Sequence, residues 1–335
     1  MTPDSSSPHV TARDWPYRDL DTPLTGVLCR DETLPGVRPG ILLIHGGAGL
    51  DEHAREQARR YAALGYIVLA CDMFGDGIAG NRDRVIGCLT TLRDDPPLMV
   101  RRAQAGLAAL ARCPGTDGRV AAIGFCFGGL AVLALARSGE PIAGAVSIHG
   151  SLGTSRRAEP GTIRAGLLVC HGALDPHVPL SDVRAFAEEM NEAGADWQVI
   201  MYGGARHGFT HSRAIPGAIP GIAYDPLADT RSFAATSSFL TEIFTGGGDQ
   251  PQQPGAELSL GSVGATLSPG VDDVEDSLRR LDPAGPLGAT QLTGQMRNWS
   301  NGLLWGSDPA ALPEYHHEPR GHHRTAGPGR VRPHR

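Results

Sequence analysis

Gly124-Phe125-Cys126-Phe127-Gly128-Gly129 is the stretch that decides the fold. Upstream, Arg119 to Ile123 is a short, β-branched apolar run of the kind that forms a buried strand. Downstream, an Ala/Leu-rich segment starting at Phe127 reads as a helix. The glycines let the chain turn sharply from one to the other, while the residue at the apex takes a strained backbone conformation. The pattern has the form of a nucleophile elbow, with cysteine as the nucleophile. A helix starting at Phe127 aims its free N–H groups at the sulfur, which favours negative charge there.

Moving outward, short apolar runs alternate with helical patterns. Gly40 to His45, Ile67 to Cys71, Ala143 to Ile148, Ala165 to His171 and Trp197 to Met201 read as further strands. Asp51 and Glu52 open an amphipathic helix to Leu64, which Gly65 ends. Asp95-Pro96 caps another through Arg112, with proline suited to a first helical position. Two more helices start near Leu180 and Leu227. Strands alternating with helices predict an α/β architecture, a mostly parallel central sheet with helices on both faces. This catalytic domain is expected over 13–245, after a flexible N-terminus at 1–12. Residues 246–270 are rich in Gly, Pro, Gln and Ser and the last twenty in Arg, His, Gly and Pro, so 246–335 reads as a largely disordered tail with one short helical pattern at 271–281.

Composition removes several functions. The net charge is −6, which argues against nucleic acid as a partner. The chain has no lysine, so Schiff-base chemistry and a phosphate-loop lysine are excluded. No apolar run approaches the ~20 residues needed to span a bilayer, and Met1 to Asp14 is polar, without a secretory pattern. The six cysteines show no CxxC pair and no metal-ligand spacing, so free thiols and a cytoplasmic location are expected. No cofactor and no metal is implied. His316, His317, His322 and His323 sit in a tail that lacks the supporting shell a metal site needs. No motif sets the oligomeric state.

Two further residues complete a catalytic set. Asp175 stands just past a strand end in Leu168-Val169-Cys170-His171-Gly172-Ala173-Leu174-Asp175-Pro176, and His207 just past the next in Gly203-Gly204-Ala205-Arg206-His207-Gly208-Phe209. Nucleophile, acid and histidine follow one another in the order found in α/β hydrolases. His207 would take the thiol proton and later protonate the leaving group, while Asp175 fixes its tautomer. The backbone N–H of Phe127, with that of Gly46 or Gly47, would form the oxyanion hole. His149, after the strand that follows the elbow helix, could line the pocket. His177 would belong to the turn beyond Asp175.

These motifs resemble the dienelactone hydrolase family. G-F-C-F-G-G, H-G-A-L-D-P-H-V-P and G-G-A-R-H-G-F stand at the family's three triad positions, and Ala70-Cys71-Asp72-Met73-Phe74-Gly75 and Tyr224-Asp225 also fit. The resemblance spans about residues 17–244 and implies a cysteine hydrolase of lactones or other carboxylic esters, acting on a small molecule through an acyl-enzyme. Two positions depart from it. Where members often carry a glutamate that pairs with the resting thiol, this chain has Gly46. Where dienelactone-cleaving members place a carboxylate-binding arginine, it has His211, leaving Arg82, Arg84, Arg206 and Arg213 as substitutes. A competing reading is a non-catalytic module that binds a small ligand or senses oxidants through Cys126. An acyltransferase using the same triad is a third.

Overall fold

The computed structural model describes residues 8–75, 78, 81–214, 217 and 219–246 of the 335. An antiparallel hairpin comes first, β1 (Val10–Asp19) and β2 (Thr22–Asp31), followed by β3 (Arg38–Ile44), α1 (Glu52–Ala62), β4 (Ile67–Cys71), α2 (Arg82–Asp94) and α3 (Pro96–Ala111). The second half runs β5 (Thr116–Phe125), α4 (Phe127–Arg137), β6 (Gly144–Ile148), β7 (Gly166–Gly172), α5 (Leu180–Ala193), β8 (Trp197–Tyr202) and α6 (Pro226–Thr245). One sheet holds all eight strands in the order β1-β2-β4-β3-β5-β6-β7-β8. Only the β1–β2 and β2–β4 pairings are antiparallel.

Strand side chains alternate between faces. Leu42 and Ile44 of β3 therefore pack into a core with α2, α3, α4 and α5, through Val85, Leu89, Met99, Leu110, Val132 and Phe186. Ile41 and Leu43 turn the other way, onto α1 and α6, where Ala58, Tyr61, Phe239, Leu240 and Phe244 wait. A sheet buried on both faces is why its strands read as nearly unbroken apolar runs. The helix ends follow local chemistry. Asp51, Asn81, Asp95 and Asp225 each accept a hydrogen bond from a backbone N–H two or three residues on, satisfying donors the first turn leaves free.

One expectation needs adjustment, two features are added, and one expectation falls outside the described residues. β1 begins at Val10, inside the stretch expected to be flexible, because Val10 pairs with Asp31 and the His9 N–H donates to the Asp31 carboxylate. The β1–β2 hairpin and α2 had not been read from the sequence as elements. The tail expected over 246–335, and its helical pattern at 271–281, lie outside the described residues except for Gly246, which caps α6. Among the described residues, no helix is long and apolar enough to cross a membrane.

Candidate active site

The functional side chains gather at the carboxyl ends of the parallel strands, where this architecture opens its crevices. Cys126 sits between β5 and α4 with φ 56° and ψ −111°, a conformation that side chains rarely adopt. Its N–H donates to Ile148 O at 3.0 Å, which ties the apex to the end of β6. Two glycines make the turn possible by contact. A Cβ on Gly124 would collide with the Gly128 carbonyl, and one on Gly128 with the Ile44 carbonyl at the end of β3.

Asp175 follows β7. Its Oδ1 accepts the His177 N–H at 2.8 Å, and its Oδ2 lies 2.7 Å from His207 Nδ1. His207 follows β8, and its backbone is stapled across the loop. Its N–H donates to Gly221 O at 3.1 Å, and the Ala223 N–H donates to its carbonyl at 3.2 Å. Burial alone would pull the His207 pKa down, but the Asp175 carboxylate and the Cys126 sulfur act on the same ring and push it up to about 10. Burial works against the Asp175 charge too, yet the neighbouring imidazolium holds this carboxyl below the usual carboxylate range.

A narrow cavity opens on Cys126 and His207, with Gly46, Gly47 and Ala48 forming one wall. The loop carrying those glycines is oriented by His45, a residue the sequence reading passed over. The Met73 N–H donates to His45 Nε2 at 3.1 Å, so the ring's proton sits on Nδ1 and reaches Gly46 O at 2.7 Å. A peptide's C=O and N–H point opposite ways, so fixing the Gly46 carbonyl turns the Gly47 N–H away from His45.

His149 lines this cavity, as do His211, Asp51 and His53. Asp51 had been read only as a helix cap, and His53 only as part of an amphipathic helix. His149 carries its own strained backbone, φ 42°, at the end of β6. The Thr210 hydroxyl bridges His149 Nε2 at 2.8 Å and His53 Nε2 at 3.0 Å, and His53 stacks on His211 with ring centroids 4.7 Å apart. Burial, then the neighbouring imidazole of His211, pulls His53 down to about 3. Burial, then His207, holds His149 well below the ordinary histidine range. His177 belongs to the Asp175 turn and meets His207 edge-on at 5.3 Å.

The arginines weighed as substrate ligands do not converge here. Arg84 borders a separate cavity with Met73, Phe74 and Cys88. Arg206 is exposed, because its neighbour His207 takes the inward direction of the loop. Arg213 is exposed and faces Glu56 at 3.6 Å. The Arg82 side chain lies outside the described residues. Among the described residues, no group of His, Cys, Asp or Glu is arranged to hold a metal ion.

Comparison with known proteins gives the family and the fold. The model of the "Dienelactone hydrolase family" matches residues 25–244. A dienelactone hydrolase-like promiscuous phosphotriesterase from metagenomic libraries is 41% identical, with a TM-score of 0.67, covering 70% of this chain and 98% of its own. An uncharacterized protein of Caenorhabditis elegans is 38% identical over 147 residues, which are 43% of this chain and 92% of that one. At 22% identity, a dienelactone hydrolase from Anabaena variabilis shares the fold, with a TM-score of 0.52 over 70% of this chain and 99% of its own.

Proposed function

This chain belongs to the dienelactone hydrolase family, and from that footing we propose that it cleaves its ester or lactone substrate through Cys126, His207 and Asp175. The observation that carries the reading is the convergence of residues from three strand ends, two of which, Cys126 and His207, line one cavity. There Asp175 holds His207 at 2.7 Å, and Cys126 acts on the same ring. The Cys126 sulfur attacks the substrate carbonyl carbon after its proton has passed to His207 Nε2. Charge moves onto the carbonyl oxygen, where the Phe127 N–H at the start of α4 and the Gly47 N–H are the donors. Collapse of the tetrahedral adduct breaks the carbon–oxygen bond. The leaving alkoxide takes the proton from His207, and the acyl group remains on sulfur as a thioester. His207 then removes a proton from water, hydroxide adds to the thioester, and the sulfur departs. Asp175 stays ionised throughout and stabilises the imidazolium.

Intact-protein mass spectrometry of enzyme mixed with small activated esters tests this. The expected result is a single acyl adduct on Cys126 that disappears in Cys126→Ala together with turnover. Turnover at the wild-type level in folded Cys126→Ala, or an adduct on another residue, would overturn it. The phosphotriesterase among the relatives adds one substrate to the panel, a neutral phosphotriester whose phosphorus the same thiolate would attack.

A further inference from the structure

The far side of the same cavity carries chemistry that bond cleavage does not use. Asp51 caps α1, accepting the Ala54 N–H at 3.0 Å, and stands 3.6 Å from His211 Nε2. The other ring nitrogen of His211, Nδ1, is buried and makes no hydrogen bond. His149 is 2% exposed, and its Nδ1 has no hydrogen-bond partner on another residue. The Thr210 hydroxyl holds the His149 ring through its other nitrogen. Buried polar atoms short of partners are costly, and two such ring nitrogens belong to His149 and His211, side chains that border one space beside the nucleophile. The electrostatics of that space are one-sided. Asp51 is the only carboxylate among the described residues that line it, and no arginine is among them. His53 and His149 are held neutral by burial.

Resting on the hydrolase reading above, we infer that the substrate part lodged between Asp51, His149 and His211 is uncharged and carries a hydroxyl. A hydroxyl both donates and accepts, so it can meet a carboxylate on one side and an imidazole nitrogen on the other. A carboxylate entering the same space would lose its water against Asp51 with no arginine among the lining residues to receive it. An alkyl group would leave the imidazole nitrogens unpaired.

The test separates binding from chemistry. Three matched methyl ketones, with chains ending in a hydroxyl, a methyl or a carboxylate, are titrated into Cys126→Ala and binding is read by calorimetry. The hydroxyl ketone should bind at least tenfold more tightly than the carboxylate and more tightly than the methyl compound. Equal or tighter binding of the carboxylate, or no measurable binding of the hydroxyl ketone, overturns the inference. In Cys126→Ala/Asp51→Asn, which keeps a capping oxygen but removes the charge, the hydroxyl-to-carboxylate ratio should fall about tenfold. An unchanged ratio removes Asp51 from the assignment. Failure of the triad reading would show separately, as the absence of a Cys126 acyl adduct in the unaltered enzyme.

Discussion

Two buried acid–base pairs sit in this molecule, and they do different things with the same attraction. Asp175 meets His207 at 2.7 Å, and Glu189 meets Arg137 at 2.8 and 2.9 Å through two parallel bonds. Both are almost wholly withdrawn from water. What separates them is the third group in reach. The Arg137–Glu189 pair is completed by backbone, with Arg137 donating to Leu152 O and Glu189 accepting the Ala158 N–H. It ties α4, α5 and the loop after β6 together, and a guanidinium does not give up its proton in a protein. The Asp175–His207 pair has the Cys126 sulfur as its third member and a proton that can leave. A buried ion pair thus becomes machinery or a rivet according to its neighbours.

The largest expected effect comes from breaking the first pair. Asp175→Asn keeps shape but removes the charge, and kcat/KM for an activated ester should fall by roughly 10³- to 10⁴-fold, about 4–5.5 kcal/mol of transition-state stabilisation. Loss of less than about tenfold would mean that His207 is oriented by something else. The second pair should fail in the other currency of the comparison. Glu189→Ala leaves the Arg137 guanidinium buried and unpaired, and urea unfolding should show a loss of about 3–5 kcal/mol. The folded fraction should keep its kcat/KM, and a collapse of activity under native conditions would contradict the separation drawn here.

A pH profile sharpens the contrast at smaller amplitude. His207 is raised to about 10, so it holds its proton through neutral pH and loses it only as pH climbs through that value. In the proposed mechanism kcat/KM is therefore flat from pH 7 to 9 and drops about tenfold per pH unit beyond about 10. Removing the Asp175 charge takes away the main support for the imidazolium, so in Asp175→Asn the alkaline limb should move to lower pH. A wild-type limb near 6.5, the ordinary histidine value, would show that the pair does not shift His207 at all.

The sequence announced the parallel part of the fold because strands buried on both faces leave unbroken apolar runs. β4 was read at Ile67 to Cys71, the limits it has in the structure. The hairpin was illegible for a local reason. Its two-residue turn is Leu20-Asp21, where Asn-Gly or a similar pair would be the signal, and Leu20 takes φ 52° without glycine's help. Inside α2, Gly87 breaks up the helical pattern that Val85, Leu89 and Leu92 begin. Cys126, Asp175 and His207 could be picked out because each follows a strand within its own glycine-marked turn. Asp51 and His53, which line the cavity, and Thr210, which bonds two of its histidines, could not, because they come from a helix and a loop whose meeting only the folded chain brings about.

The backbone at Cys126 has a consequence beyond chemistry. With φ 56° and ψ −111°, position 126 suits glycine, and a side chain there costs on the order of 1–3 kcal/mol of strain. Cys126→Gly should therefore unfold at a higher denaturant concentration than Cys126→Ala, which keeps a Cβ, by about 1 kcal/mol. A lower midpoint would mean that the turn is shaped by its neighbours and carries no strain of its own. The thiol thus persists against the preference of the chain that carries it. In a lineage released from the need to catalyse, drift should reach this codon early, replacing cysteine with glycine while the surrounding glycines, held by packing, stay as they are.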